Sequence, residues 1–420
     1  MGAEADSVSS FEPRLNKVKK MSLLDRLFDQ NEWMNYYNNK IEAGNISIER
    51  EYDLLSFIEK KEYFPFVKSI STGDTFGPPQ KTCVNKMNSS KKRIVYTYAR
   101  EENYILKMIT YLLKEYDDIF ADNLYSFRKN RGVKCAIERI LQIPDLQSFY
   151  TYKVDISDYF NSVNIEKLLP ILAEILQEDK RLYEFMQSLL KNSFVYEDGF
   201  LKKEKKGIMA GTPIASFLAN IYLKEMDEWF ERSGCCYARY SDDVIVFAQT
   251  EQELSDYIKQ IKNILLKYDL TVNEKKEVIT IPGEPWTFLG FSYQNGRIDV
   301  SPFSVEKIKN KMRRKVRALK RWQRNNNVSG ENTAKAFIRH FNRSFFENKR
   351  NHELTWIRWY FPIINSTEGI HEIDVFMQDQ IRYLISGTRT KARFNCRYED
   401  MKKLGYRSLV GAYYKSSLWE

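Results

Sequence analysis

Apolar positions recur along this chain with two different periods. Val305, Ile308, Met312, Val316, Leu319 and Trp322 step by three and four, the spacing of one helical face. Ser301-Pro302, just ahead of them, reads as a helix start. Leu23, Leu24, Leu27 and Phe28 form a shorter stripe of the same kind, and the segments 166–190 and 251–267 also read as helices. Elsewhere the pattern changes. Val244-Ile245-Val246-Phe247-Ala248 is an unbroken apolar run of strand length, Cys236–Arg239 precedes it, and the polar group Tyr240-Ser241-Asp242-Asp243 lies between. Two strands meeting at a turn that holds its acids outward are predicted. In the β-rich run Tyr152–Phe160, Asp155 stands where strand gives way to turn. Strands alternating with helices between 151 and 300 predict an α+β fold of ferredoxin-like pattern.

Adjacent carboxylates are usually solvated turn residues. They become a metal site when a third carboxylate arrives from another strand, because hard Mg²⁺ takes oxygen ligands and a cluster of like charges needs a cation among its members. Asp155 is the candidate third acid for Asp242 and Asp243.

Composition narrows the class. A chain of 420 residues exceeds a typical single domain, so two or three lobes around a shared cleft are expected. With 43% hydrophobic residues and no run of eighteen apolar positions, it reads as a soluble globular protein with no membrane partner. Met1-Gly2-Ala3-Glu4-Ala5-Asp6 lacks the pattern of a signal peptide, and Cys83, Cys135, Cys235, Cys236 and Cys396 show no Cys-x-x-Cys spacing, so a cytoplasmic protein without a disulfide framework is expected. His340, His352 and His371 are too scattered for a two-histidine metal motif or an HNH-type nuclease. No Gly-x-x-x-x-Gly-Lys-Ser/Thr loop marks an NTPase motor. Charge is concentrated: residues 301–350 hold fifteen Lys and Arg against three Glu, in a chain whose total is only +10. That segment is either a solvated face or a phosphate-binding one.

Further blocks surround the acids. Lys91–Tyr96 and Asn123–Gly132 lie upstream, and the glycine and proline loop Lys206–Ser216 runs into the apolar helix ending near Leu223. Leu270–Lys276 and Phe288-Leu289-Gly290-Phe291 follow the Asp pair. In this order, over roughly residues 80 to 300, the blocks resemble reverse transcriptases. The resemblance implies a right-hand polymerase: a helical N-terminal extension (1–80), fingers (81–150), a ferredoxin-like palm (151–300), then a basic helical thumb and C-terminal element (301–420). The implied activity is RNA-directed DNA polymerisation with dNTPs as substrates, an RNA template and a cDNA product; protein partners are not legible.

The same resemblance implies site roles. Asp155, Asp242 and Asp243 would be catalytic, with the Ile156 backbone carbonyl completing the sites of two Mg²⁺ ions, Mn²⁺ being an alternative. Lys92 and Arg93 would meet the triphosphate, Lys276 the leaving group, and Ser157, Asp158, Tyr159 and Phe160 the incoming nucleotide, with the Phe160 ring excluding a 2′-hydroxyl. Arg128, Gly211, Thr212 and Tyr240 would touch nucleic acid at the centre, and Arg313, Arg314 and Arg317 along the thumb. Simpler readings stand beside these: Phe160 as core, Lys276 as a loop lysine, Arg128 as a structural ion pair, and Trp356, Trp359, Tyr360 and Phe361 as core rather than base-stacking rings. Ala210 departs from relatives that carry glutamine there. Chain length, the Tyr-Ser-Asp-Asp core, Ala210 and the late Leu404–Leu409 segment look most like bacterial defence-associated enzymes, which implies antiphage function and a structured non-coding RNA as template. A retron or intron-type enzyme, or an RNA-binding scaffold without catalysis, are the alternatives.

Overall fold

The computed structural model describes residues 21–43, 46–85, 92–205, 207–346 and 355–416. The first twenty residues, Lys91 and the Lys92 side chain lie outside the described part. Ahead of the first strand come four helices, Leu23–Arg26, Gln30–Glu42, Ile48–Glu59 and Phe64–Ser71. Side chains of Ser22, Asp29 and Ser47 accept backbone N–H groups at the first three starts. Of the predicted stripe, Leu23, Leu24 and Leu27 are buried and Phe28 is half-buried.

Strands β1 (Gln80–Asn85) and β2 (Lys92–Thr97) pair antiparallel. The long predicted strand comes next as β3 (Tyr150–Asp155), followed by helices Ile165–Ile175 and Lys180–Lys191. The single helix expected over 166–190 is thus two. The break is at Asp179, whose carboxylate accepts the Leu182 N–H and caps the second helix while also binding the Ser22 hydroxyl and the Leu23 N–H. The hairpin β4 (Phe194–Glu197) and β5 (Phe200–Lys203) completes a sheet of order β2-β1-β4-β5.

Strands β6 (Tyr237–Tyr240), β7 (Asp243–Ala248) and β8 (Val278–Thr280) join β3 in an antiparallel sheet of order β6-β7-β3-β8. A β-α-β-β-α-β chain with its first strand inside the sheet is the ferredoxin-like pattern, and this sheet is the palm. Its register explains the unbroken apolar run of β7. Val244, Val246 and Ala248 pack into one core with the N-terminal, finger and palm helices, while Ile245 and Phe247 pack into a second core with the C-terminal lobe. Both faces are covered, so alternation disappears. At about 1.5–3 kcal/mol for each buried side chain of this size, the strand is anchored from both sides.

A three-stranded sheet, β9 (Trp286–Phe288), β10 (Phe291–Gln294) and β11 (Arg297–Val300), leads into the helix Pro302–Asn326. The Ser301 side chain caps that helix, and Val305, Ile308, Met312, Val316 and Leu319 are buried as the spacing predicts. Trp322, the last member of the stripe, is exposed. Helices Gly330–Phe345 and Glu368–Ser386 pack against it. Asp374 of the latter is buried and accepts the Tyr406 and Ser408 hydroxyls and the Leu409 and Val410 N–H groups at 2.6–3.0 Å. The late Leu404–Leu409 segment is therefore tied to the lobe through this carboxylate, with Asn342 Nδ2 on the Gly405 carbonyl beside it.

Candidate active site

The two-residue turn between β6 and β7 places the acids. Tyr240 pairs with Asp243 across it, and Ser241 takes a left-handed φ of 61°, so Ser241 and Asp242 form the tip. β3 runs alongside β7 in a register that sets Asp155 directly opposite Asp243. The Ile156 N–H donates to the Asp242 carbonyl at 2.9 Å, tying the strand end to the turn. Three carboxylates from two strands thus share one end of the sheet.

Their electrostatics are unbalanced. Burial, then repulsion from Asp242 and Asp155, pushes the Asp243 carboxyl up to about 6. Asp242 is also raised, by burial first and by Asp155 second. Lys276 Nζ sits 2.6 Å from Asp155 Oδ2. Burial alone would lower that ammonium, but the Asp155 carboxylate outweighs it and holds the pKa up. Asn273 Nδ2 donates to the other Asp155 oxygen at 3.3 Å. Among the described residues no three His, Cys, Asp or Glu side chains stand in metal-holding geometry. The donor chemistry fits hard divalent ions, because clustered oxygen ligands with carboxyl groups raised by burial and by mutual repulsion are what such a cation stabilises.

The predicted nucleotide residues divide. The Ser157 N–H and hydroxyl donate to the carbonyls of Thr271 and Val272, and Asp158, exposed, accepts from Asn161 Nδ2 at 3.0 Å. Tyr159 points inward, buried, with its hydroxyl on the Ala219 carbonyl at 2.6 Å, so its ring belongs to the core rather than to a nucleotide pocket. Phe160 is half-buried, and its carbonyl accepts the Ile208 N–H. The neighbouring Gly207 leaves no room for a Cβ, which would stand 2.2 Å from that carbonyl oxygen. Arg93 is exposed on β2, and its charge pulls on the Asp242 carboxyl.

The Gly-rich loop packs on the same finger strand. The Ala210 carbonyl accepts the Tyr96 N–H at 2.7 Å, and Gly211, with φ of 101°, lies close to Val95 and Tyr96. Thr212 is buried and donates its hydroxyl to the Met209 carbonyl. Arg128 takes the structural alternative. Its guanidinium is almost fully buried, grips Asp117 with Nε and Nη2 at 3.0 Å, and reaches the carbonyls of Ala121 and Leu124. In this structure the side chain is committed to these bonds rather than turned to a template.

Tyr240 is half-buried beside Phe127, and with Asp155, Asp243 and Lys276 it lines a cleft of about 900 Å³ shared with Phe303, Lys307, Trp356 and Trp359 of the C-terminal lobe. Farther along the helix Pro302–Asn326, Arg314, Arg317, Arg321 and Arg324 line a second groove of about 880 Å³ with Phe376 and Tyr383. Arg313 lies there too, but it is paired with Glu306 and stacked 5.0 Å from the Phe376 ring.

Sequence reading missed the buried polar network behind the turn, formed by Ser126, Asn220, Asp227 and Arg239. Its one visible signal was a charged residue, Arg239, inside a short strand.

The sequence model of the family described as reverse transcriptase (RNA-dependent DNA polymerase) matches residues 84–293, half of the chain. A COX1/OXI3 intron 1 protein of Saccharomyces cerevisiae is 20% identical over 251 residues, 47% of this chain and 30% of that protein. An uncharacterized 91 kDa protein in the cob intron of Schizosaccharomyces pombe is 23% identical over 158 residues, 37% of this chain and 19% of that protein. This chain spans less than a third of the length of either relative. Among solved structures, the Candida tropicalis telomerase in complex with a TWJ fragment of telomeric RNA aligns with a TM-score of 0.45 at 14% identity, covering 83% of this chain and 67% of that one. The apo telomerase of the same organism gives 0.44 at 13% identity, covering 79% and 70%. On the family match, the chain belongs to the reverse transcriptases.

Proposed function

We propose that this chain is an RNA-directed DNA polymerase that extends a primer with dNTPs on an RNA template. The observation that carries the reading is the register of β3 and β7, which sets Asp155 opposite Asp243 with Asp242 beside it. Asp155, Asp242 and the Ile156 carbonyl would hold two Mg²⁺ ions, Mn²⁺ substituting, and Asp243 would tune the pair. When bound, these ions supply activation of the primer 3′-hydroxyl and neutralisation of charge on the triphosphate. The protein's own groups do the positioning. Lys276 must leave Asp155 as the site fills, which frees a charged Nζ to give a proton to the departing pyrophosphate. Arg93 adds positive charge at the finger side, and Phe160 stands under the sugar.

The finer assignment rests on sequence. The Tyr-Ser-Asp-Asp core, Ala210 and the Leu404–Leu409 segment support a bacterial defence-associated enzyme that copies a structured non-coding RNA. Five free cysteines support a cytoplasmic setting. No helix among the described residues is long and apolar enough to cross a membrane. A second reading, an intron-type enzyme, is favoured by the two fungal intron relatives. The decisive experiment incubates the purified chain with an RNA template, a DNA primer, dNTPs and Mg²⁺, and sequences the nucleic acid that copurifies from cells. Primer extension stopped by EDTA, with one enriched small RNA and matching cDNA, is expected; no extension on any RNA template overturns the polymerase, and copurifying intron RNA favours the second reading.

A further inference from the structure

Ser241 carries the strain of the acidic turn, and both of its backbone polar groups end on buried side chains. Its N–H donates to Ser126 Oγ at 2.9 Å, and its carbonyl accepts from Arg239 Nη1 at 3.3 Å. Ser126 and Arg239 are both 0% exposed. Each is locked in turn. The Ser126 hydroxyl donates to Asn220 Oδ1 at 3.1 Å, and Asn220 Nδ2 donates back to the Ser126 carbonyl at 2.8 Å. Arg239 donates through Nε and Nη2 to the two oxygens of Asp227 at 2.8 and 2.5 Å, and through Nη2 to the Asn220 carbonyl at 3.1 Å. Tyr237 and Asn123 add bonds to the Asp227 carboxylate and carbonyl. A non-glycine residue stays in the left-handed region only where its surroundings over-determine it, and here they do.

We infer that Ser126 and Arg239, backed by Asn220 and Asp227, are positioning residues for nucleotidyl transfer: they fix the peptide units on both sides of Ser241 and so set where the Asp242 and Asp243 carboxylates stand relative to Asp155. The inference rests on the reading of these acids as the catalytic centre. A buried ion pair gives little stability that a well-packed apolar pair would not also give, so what Asp227 and Arg239 add is direction. Groups that orient metal ligands in this way change metal affinity or activity by about 10- to 100-fold when removed.

Two variants test it. Ser126→Ala deletes the acceptor of the Ser241 N–H. Asp227→Leu combined with Arg239→Met replaces the pair with apolar groups of similar size, which keeps the fold but abolishes the hold on the Ser241 carbonyl. Mn²⁺ binding to the protein without substrates, read by electron paramagnetic resonance, is measured beside thermal unfolding and single-turnover incorporation. Both variants are expected to bind Mn²⁺ about tenfold or more weakly and to lose about 10- to 100-fold in rate, with KM for the primer and template unchanged. Wild-type Mn²⁺ affinity and rate in both variants, whatever their melting temperatures, overturns the inference. Asp242→Ala with Asp243→Ala is the reference: if it still incorporates dNTPs the reading of the centre falls, whereas if it is inactive and both positioning variants behave as wild type, only the positioning role falls.

Discussion

Phe160 follows Asp155 by five positions, on the palm side of the acidic turn. It is half-buried at the start of a short helix, its neighbour Tyr159 filling the core behind it. A ring under the incoming sugar excludes a 2′-hydroxyl by collision, so Phe160→Ala is expected to raise kcat/KM for rNTP relative to dNTP. A gain of about tenfold for each ~1.4 kcal/mol of lost discrimination follows. A ring that only fills space predicts otherwise: truncation would cost about 3–5 kcal/mol of stability and leave the ratio unmoved. Matched dNTP and rNTP kinetics on one primer and template, read beside thermal unfolding, separate the two. Which acids converge was legible in the residues, because strand ends and a polar turn leave carboxylates few places to go. Arg128 was not legible, since an arginine beside aromatic residues reads equally as a nucleic-acid grip or as the Asp117 ion pair it makes.

At the scale of elements, periodicity predicted the strands of the palm and the helix Pro302–Asn326 down to its Ser301 cap. It merged two helices over 166–190, where the Asp179 carboxylate caps the start of the second. The network behind the turn was invisible for a physical reason. The bonds that Ser126 makes join residues 94 to 115 apart in the chain, and no local pattern encodes them. Removing one partner should show its weight: Arg239→Ala strands a buried Asp227 and is expected to cost about 3–5 kcal/mol, measured by urea unfolding. A cost below about 1 kcal/mol would mean that Asp227 finds water or another partner. The basic helix makes a separate forecast. Arg314, Arg317 and Arg321 are exposed in one groove, so changing all three to Gln should weaken duplex binding. The magnitude of its log K against log salt slope should fall by about 2–3. An unchanged slope would make that groove a solvated face.

For the whole molecule, the palm sheet is the partition between two cores, and the acids sit where its strands reach the cleft shared with the C-terminal lobe. The lobes can therefore tolerate change at the acidic tip, whose carboxyl groups are buried against one another's charge. That separates chemistry from folding, and one measurement exploits it: single-turnover Mg²⁺-dependent dNTP incorporation on an RNA template by Asp242→Ala with Asp243→Ala, alongside its melting temperature and RNA affinity. Incorporation should vanish while melting temperature and RNA binding stay at or above wild type, since the change removes proposed metal ligands and mutual repulsion together. Incorporation at the wild-type rate in that variant would contradict the assignment of the active site.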